Sequence, residues 1–296
     1  MRLVSYEQEG ALRAGILVDG VVVDAQAAAA DLGGGDTGWS HSVRGILESE
    51  QGTRDRLAAA AAARSGEGVA LAELTLGPPI PDPAKIICIG LNYMTHVAEA
   101  KALDGAPDEL PADPIMFVKF ATSLIGHEAE VHPPATTRKL DWEVEMAVVI
   151  GTQATKVAQA DALRHVAGYM TFNDVSARDL QLASPQWTAG KAFDTSGPCG
   201  PALVTADEVP DPQALRISAR LNGETMQDDT TAHMIHPVAR LIEYISSLIT
   251  LVPGDIIATG TPAGVGVSRD PQVFMKSGDV IEVEVEGLGV LRNTIR

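Results

Sequence analysis

The segment Leu140-Asp-Trp-Glu-Val-Glu-Met-Ala-Val-Val-Ile-Gly151 constrains the fold of this chain more than any other. As a strand, with its period of two, it puts Asp141, Glu143 and Glu145 on one face and Trp142, Val144 and Met146 on the other, then runs straight into a fully apolar core strand. At least two carboxylates are thereby held side by side at the edge of a buried layer. Such neighbours raise each other's pKa and are tolerated best with a cation between them. A solvated strand face with chance acids is the open alternative at this point.

Composition narrows the partners. The chain has 296 residues, room for two domains or one large one, with 39 acidic against 22 basic residues and a formal charge of −17. That excess argues against nucleic acid or an anionic membrane as the main partner. Hydrophobic residues at 45% and charged ones at 21% are those of a folded chain, so the acidity does not signal disorder. Two cysteines, Cys88 and Cys199, make neither a disulfide framework nor a metal-ligand spacing, which fits a reducing, cytoplasmic setting. No apolar stretch approaches the roughly 18 residues needed to span a bilayer, and no signal peptide is read.

Residues 2–25 alternate short apolar runs with turn signals, as in a small antiparallel meander. Ala25–Leu32 and Val43–Ala63 are Ala-rich with helical spacing, separated by Gly33-Gly-Gly-Asp-Thr-Gly38. That loop matches G-x-G-x-x-G but follows a helix candidate where a dinucleotide fingerprint needs a strand. The proline-rich joint Gly77-Pro-Pro-Ile-Pro-Asp-Pro83 stops helices and central strands alike, so the expected organisation is a small N-terminal domain over 1–76, a linker over 77–83 and a larger domain over 84–296. In the larger part strands are expected at 86–89, 115–119, 144–150, 168–172, 217–221, 256–259 and 280–285. Helices are expected at 95–103, 161–166, 176–182 and 237–248. The pattern predicts a mixed α/β, β-rich fold and argues against a Rossmann sheet or a barrel of eight βα units.

The segment Gly168-Tyr-Met-Thr-Phe-Asn-Asp-Val-Ser-Ala-Arg-Asp-Leu-Gln181 adds a third carboxylate. Ser176 and Asp179 have the spacing of a capping box, and a helix reaching back to Asp174 would place Asp174, Arg178 and Gln181 on one face. An acid, a guanidinium and an amide there could complete an oxygen-rich cation site and grip an anion, with an ordinary Asp to Arg helix pair as the alternative. Lys191, in Gly190-Lys-Ala-Phe-Asp-Thr-Ser-Gly-Pro198, could neutralise an oxyanion or be a solvent lysine. Thr259-Gly-Thr-Pro-Ala-Gly-Val-Gly266 is not a Walker loop but could close over a carboxylate through its amides. His96 and Glu99, at i and i+3 after Gly90-Leu-Asn-Tyr93, could form an imidazole and carboxylate pair. Residues 103–114 read as a lid flank.

Taken together and in order, Gly90-Leu-Asn-Tyr…His96…Glu99, Asp141-Trp-Glu-Val-Glu145, Asn173-Asp-Val-Ser-Ala-Arg-Asp-Leu-Gln181, Gly190-Lys-Ala-Phe-Asp-Thr-Ser-Gly-Pro198 and Thr259-Gly-Thr-Pro…Gly264-Val-Gly266 resemble the fumarylacetoacetate hydrolase superfamily over residues 80–296. The likeness is to bacterial acylpyruvate hydrolases and 2-hydroxyhepta-2,4-diene-1,7-dioate isomerases. It implies a mixed β-sandwich roll preceded by a small N-terminal α+β domain, usually as a homodimer. It implies Mg²⁺ (or Mn²⁺ or Ca²⁺) on Glu143, Glu145 and Asp174, a water-activating dyad of His96 and Glu99, and ligand or oxyanion contacts from Arg178, Gln181, Lys191, Thr195 and Thr261. His127 and His132 depart from the family pattern, in what is expected to be a peripheral loop.

The implied activity is cleavage of a C–C bond in a small anionic 2,4-dioxo acid of acylpyruvate or fumarylpyruvate type, giving pyruvate and a second carboxylic acid. Water activated by His96 would attack the distal carbonyl, with the metal and Lys191 stabilising the departing enolate. The same enolate-stabilising site could decarboxylate oxaloacetate or isomerise and decarboxylate hydroxymuconate-type diacids. A catalytically silent metal-binding scaffold is the alternative of another class. A zinc site on His233 and His236 lacks a third nitrogen or thiolate ligand of compatible spacing.

Overall fold

The computed structural model describes residues 1–33, 38–100 and 112–296. Strands β1 (Arg2–Gln8), β2 (Ala11–Val18) and β3 (Val21–Asp24) form the expected meander. Both of its turns have two residues with positive φ, Glu9 (54°) with Gly10 (80°) and Asp19 (47°) with Gly20 (85°), as a tight hairpin requires. Asp24 then caps α1 (Ala25–Ala30), its Oδ1 accepting from the Ala27 N–H at 2.8 Å. The helical spacing over 43–63 resolves into α2 (Val43–Glu48) and α3 (Gln51–Ala63), divided where Ser49 turns extended and its N–H and hydroxyl close on the Ile46 carbonyl.

After the proline-rich stretch come β4 (Ile86–Gly90), α4 (Met94–Ala100), β5 (Ile115–Lys119), β6 (Leu140–Asp141), β7 (Val144–Ile150) and β8 (Val166–Asn173). They are followed by β9 (Ser176–Ala177), α5 (Arg178–Gln181), α6 (Thr188–Lys191), β10 (Gly197–Thr205), β11 (Arg216–Leu221) and β12 (Glu224–Thr230). Helix α7 (Val238–Leu248), β13 (Ile256–Ala258), β14 (Val280–Val285) and β15 (Gly289–Ile295) complete the chain. The larger sheet runs β3-β2-β1-β10-β8-β7-β13-β4-β5, and the smaller one contains β12-β11-β14-β15. This is a mixed α/β, sheet-dominated fold, as the sequence pattern predicts.

Strand β7 is the keel, buried along its whole length. Its alternate side chains serve two cores. Val144, Met146, Val148 and Ile150 pack with Ile217, Val283 and Leu291 of the second sheet and with Leu241 and Ile245 of α7. Ala147 and Val149 join Cys88, Phe172 and Ala258, together with Leu3, Ile46 and Leu57 from the N-terminal segment. Each fully buried side chain of Leu or Ile size contributes about 1.5–3 kcal/mol. Strand β1 pairs antiparallel with β10 (Arg2↔Val204, Leu3↔Leu203), so residues 1–76 extend the same sheet as well as sharing this core.

Three local expectations are corrected. The acidic strand is broken at Trp142–Glu143: β6 pairs with β9, and only from Val144 does β7 pair with β8. The helix expected over 176–182 starts at Arg178, because Ser176 and Ala177 are drawn into that pairing with Asp141 and Leu140. The capping box does not form; Ser176 Oγ donates to the Asp174 carbonyl (2.8 Å), while Asp179 accepts from Thr137 Oγ1 (2.6 Å) and the Arg138 N–H (2.7 Å). Residues 161–166 lie mostly in a 3₁₀ helix, Gln159–His165. Residues 34–37 of the Gly33–Gly38 loop, the end of the expected 95–103 helix and most of the expected lid flank lie outside the described residues.

Candidate active site and cation centre

The period of two along β7 continues backwards into its acids: Glu145 and Glu143 stand on the face of Ala147 and Val149, where the sheet ends. Asp174 follows the last residue of β8 and meets them, its N–H donating to the Glu143 carbonyl at 2.9 Å. One carboxylate oxygen from each of Glu143, Glu145 and Asp174 lies within 4.8 Å of the others. No other group of three or more His, Cys, Asp or Glu side chains among the described residues is close enough to share an ion. All three acids are buried.

Three cations pair with this floor. Arg178 places Nη1 2.7 Å from Glu143 Oε1 and Nε 2.8 Å from Asp141 Oδ2. Lys191 Nζ lies between two acids, 2.7 Å from Glu143 Oε2 and 2.8 Å from Asp174 Oδ2. Lys119 Nζ, at the buried end of β5, is 2.7 Å from Asp174 Oδ1 and also donates to the Ser196 carbonyl at 2.8 Å and the Lys191 carbonyl. Asp141 is further held by the N–H groups of Gly266 (2.7 Å) and Val267 (3.0 Å).

The electrostatics single out Glu145. Burial works against ionising Glu143, but Lys191 and Arg178 hold its carboxyl down at about 2. Burial also pushes Glu145 well above the usual carboxylate range, and the neighbouring Asp174 and Glu143 push it further; against that stands the Gly260 N–H, donating at 2.9 Å. Burial alone would lower Lys191, yet Asp174 and Glu143 raise it. Four acids (Asp141, Glu143, Glu145, Asp174) against three bases (Lys119, Arg178, Lys191) leave a formal charge of −1 in a buried space. Oxygen-only donors with one unbalanced negative charge fit a hard divalent cation such as Mg²⁺, Mn²⁺ or Ca²⁺ and do not select zinc. An added divalent cation makes the balance +1, and Arg178 Nη2, buried without a protein partner, is then a donor for an anionic ligand.

Facing the floor is helix α4. His96 is buried. Its Nδ1 stands 3.5 Å from Glu99 Oε2, long for a hydrogen bond, whereas Glu99 Oε1 accepts from the Gly264 N–H at 2.8 Å. Thr95 Oγ1 donates to Asp229 Oδ2 at 3.0 Å. Asn92 secures the entry to the helix, donating to the carbonyls of Thr259 (2.8 Å) and His236 (3.0 Å) and accepting from the His236 N–H (2.8 Å).

The remaining expected residues divide. Gln181 is buried and its Oε1 accepts from Arg178 Nη1 at 3.0 Å, so it supports the guanidinium. Asp174 does not share a helix face with the two, since α5 begins after it. Thr261 is buried in the 259–266 loop and accepts from Gln227 Nε2 at 2.9 Å. Thr195 has a φ of 69° and its Oγ1 accepts from the His132 N–H at 2.8 Å, which ties the hydroxyl to the loop containing His127 and His132. His233 pairs with Asp229 at 2.6 Å and, among the described residues, belongs to no group of three or more possible cation ligands. Sequence reasoning passed over Lys119 and Gln227, and it placed Asp141 on the acidic face without finding its partner Arg178. A lysine closing the apolar run Ile115-Met-Phe-Val-Lys119 was the available signal, because a lysine is rarely fully buried unless paired.

The fumarylacetoacetate (FAA) hydrolase C-terminal family matches residues 85–296. A mitochondrial oxaloacetate tautomerase of Bos taurus is 45% identical over 225 residues, 75% of this chain and 70% of that protein, and one of Homo sapiens matches to the same extent. The solved fumarylacetoacetate hydrolase of Exiguobacterium antarcticum superposes with a TM-score of 0.82 at 32% identity, covering 100% of this chain and 99% of that one. A maleylpyruvate hydrolase from Sphingobium sp. SYK-6 gives a TM-score of 0.78 at 28% identity over 100% and 99%. The chain belongs to the fumarylacetoacetate hydrolase family and is an enzyme of that family's kind.

Proposed function

We propose that this protein is a divalent-cation-dependent enzyme that interconverts the keto and enol forms of a small 2-oxo dicarboxylic acid of the oxaloacetate type. The observation that carries this reading is the buried floor of Glu143, Glu145 and Asp174, one positive charge short of neutral with its paired groups counted, and flanked by Lys191 and the free Nη2 of Arg178. The likeness to oxaloacetate tautomerases supports it over the C–C hydrolysis that the motifs alone favour.

In this reading Glu143, Glu145 and Asp174 hold Mg²⁺. The bound ion would polarise the 2-oxo group and ease loss of a proton from the adjacent carbon. Arg178 binds and orients the substrate carboxylate through Nη2, Gln181 steadying the guanidinium. Lys191 and Lys119 partly offset the negative charge that develops on the 2-oxo oxygen. His96, positioned beside Glu99, moves the proton between that oxygen and the carbon. The proposal keeps a homodimer. It also keeps a cytoplasmic setting, although the tautomerase relatives are named as mitochondrial; among the described residues no helix is long and apolar enough to cross a membrane.

A second reading, hydrolysis of an acylpyruvate, is favoured by the same His96 and Glu99 pair, which could activate water, and by the maleylpyruvate hydrolase neighbour. Enol decay of oxaloacetate followed by ultraviolet absorbance, with and without Mg²⁺, beside assays of CO₂ release and acylpyruvate cleavage, separates the two. Mg²⁺-dependent acceleration of enol decay is expected. Acylpyruvate cleavage without that acceleration would overturn the tautomerase reading, and no turnover in any assay would leave a metal-binding scaffold.

A further inference from the structure

Strand β12 contributes no carboxylate to the floor, yet one of its side chains touches both halves of the site. Gln227 is buried, with 1% of its surface exposed. Its Oε1 accepts from the Val144 N–H at 3.0 Å, on the single residue between Glu143 and Glu145. Its Nε2 donates to Thr261 Oγ1 at 2.9 Å and to the Pro262 carbonyl at 2.8 Å. The orientation of the amide is dictated by these partners: a backbone N–H only donates and a carbonyl only accepts. Glutamine is the neutral side chain of this length that can accept once and donate twice; glutamate would set a carboxylate oxygen against the Pro262 carbonyl.

The loop so tethered supplies two contacts of the site. Its Gly260 N–H donates to Glu145 and its Gly264 N–H to Glu99. Gly264, at φ 104°, lies against β12 itself; a methyl group on it would come within 2.2 Å of the Met226 carbonyl oxygen. The backbone of the loop and the strand are therefore in contact on one side of Gln227 and hydrogen-bonded through it on the other.

We infer that Gln227 is a positioning residue: it fixes the 259–264 loop in register with the carboxylate strand, and through the Gly264 N–H it sets Glu99 beside His96. The catalytic part of this inference rests on the reading of His96 and Glu99 given above. It touches no reacting atom and acts through Glu99.

The test is amide hydrogen exchange on the full-length Q227M variant, with turnover as a second readout. Exchange of peptides covering 259–266 and 94–100 should accelerate by about tenfold or more, while those covering β8 and β10 stay within about threefold. Unchanged exchange at 259–266 overturns the inference, and so does uniform acceleration across all peptides. Exchange needs no turnover, so it still decides the point if oxaloacetate and acylpyruvates prove inert and the proposed function falls. With turnover, Q227M and E99Q should each lower kcat by about 100-fold with KM within threefold, and the double variant should fall no more than about threefold below the worse single one. Multiplying effects would overturn it. Should Q227M not fold, T261V removes one of the two donated bonds: it should raise exchange at 259–266, and T261S should restore it. Unchanged exchange in T261V would then refute the tether.

Discussion

The two faces of the site are held by different chemistry. On the floor, five ion-pair contacts of 2.7–2.8 Å lock Lys119, Arg178 and Lys191 onto Asp141, Glu143 and Asp174, all with side chains at most 7% exposed. On the helix, His96 and Glu99 stand 3.5 Å apart, and Glu99, 24% exposed, is fixed better by the Gly264 amide than by its histidine. The floor is preorganised by buried charge, costly to bury and costlier to break. The dyad borrows its position from a neighbouring loop. Loss of a floor residue should therefore cost cation binding or stability, and loss of a helix residue should cost turnover alone.

The largest effect is expected at Glu145, the floor acid without a side-chain cation against it. Glu145→Gln should reduce Mg²⁺ or Mn²⁺ affinity by at least the roughly 100-fold that removing even a supporting group costs in metal sites. Without cation its melting temperature should equal or exceed that of the wild type, since a buried, poorly compensated carboxylate is gone. Glu143→Gln should lose affinity too but also melt lower, by about 3 kcal/mol of stability, because Arg178 and Lys191 lose a charged partner in a buried space. Calorimetric titration and thermal melts of the two variants side by side check the contrast. Equal melting behaviour would show that the two acids are not differently compensated.

His96→Asn and Glu99→Gln come next. Turnover should fall by about 10²–10⁴-fold, the usual worth of a positioned acid or base, with cation affinity unchanged in the same titration. Weakened cation binding in Glu99→Gln would break the division between floor and helix, because it would mean the Gly264 contact also steadies Glu145 through the shared loop.

How much of this was written in the sequence follows from how far apart partners lie. Glu143 and Glu145 were legible because the alternation that buries Ala147 and Val149 runs through them within one strand. The motif order then made Asp174, Arg178, Gln181 and the family legible. Lys119 was not, because the acid that explains it lies 55 residues on, across the sheet; nor was Gln227, whose partners are 83, 34 and 35 residues away. The capping box failed for the same reason, local hydrogen-bond preference at Ser176 losing to a strand pairing with Asp141. Strand β10 went unread because Gly197-Pro-Cys-Gly-Pro201 has the composition of a turn, and its pairing with β8 is irregular across Tyr169–Thr171.

A smaller perturbation approaches the floor from behind without altering its charge. Gly190 packs α6 on α5 so closely that an added methyl would lie 2.4 Å from the Gln181 nitrogen and 2.6 Å from the Ala177 carbonyl oxygen. Both are backbone atoms and cannot swing away. Gly190→Ala should cost about 1–3 kcal/mol in denaturant melts, as overpacking does, and should raise KM by moving Lys191 and Gln181 together. A change in stability with wild-type KM would show that the floor tolerates displacement of α6, contrary to its rigid ion-pair geometry.

The smallest effect belongs to a region outside both faces. His127 is half-buried and its Nδ1 accepts from the Arg292 N–H at 3.1 Å. Burial holds its pKa below the ordinary value of 6.5, so the unfolded chain takes up the proton first as pH falls. The contribution of neutral His127 is thus fully present above about pH 6.5 and declines below it. Between pH 7.5 and 5 the wild type should lose melting temperature relative to His127→Asn, which keeps an acceptor but does not titrate. The differential should not exceed about 2–4 °C, the equivalent of 1 kcal/mol for a chain of this size. Because Thr195 reaches the same loop through the His132 N–H, turnover measured across that range tells whether the loop matters to the site. Identical pH profiles for the two proteins would place it, with Thr195, outside the machinery of both faces, whereas a wild-type profile falling earlier in acid would join it to the floor.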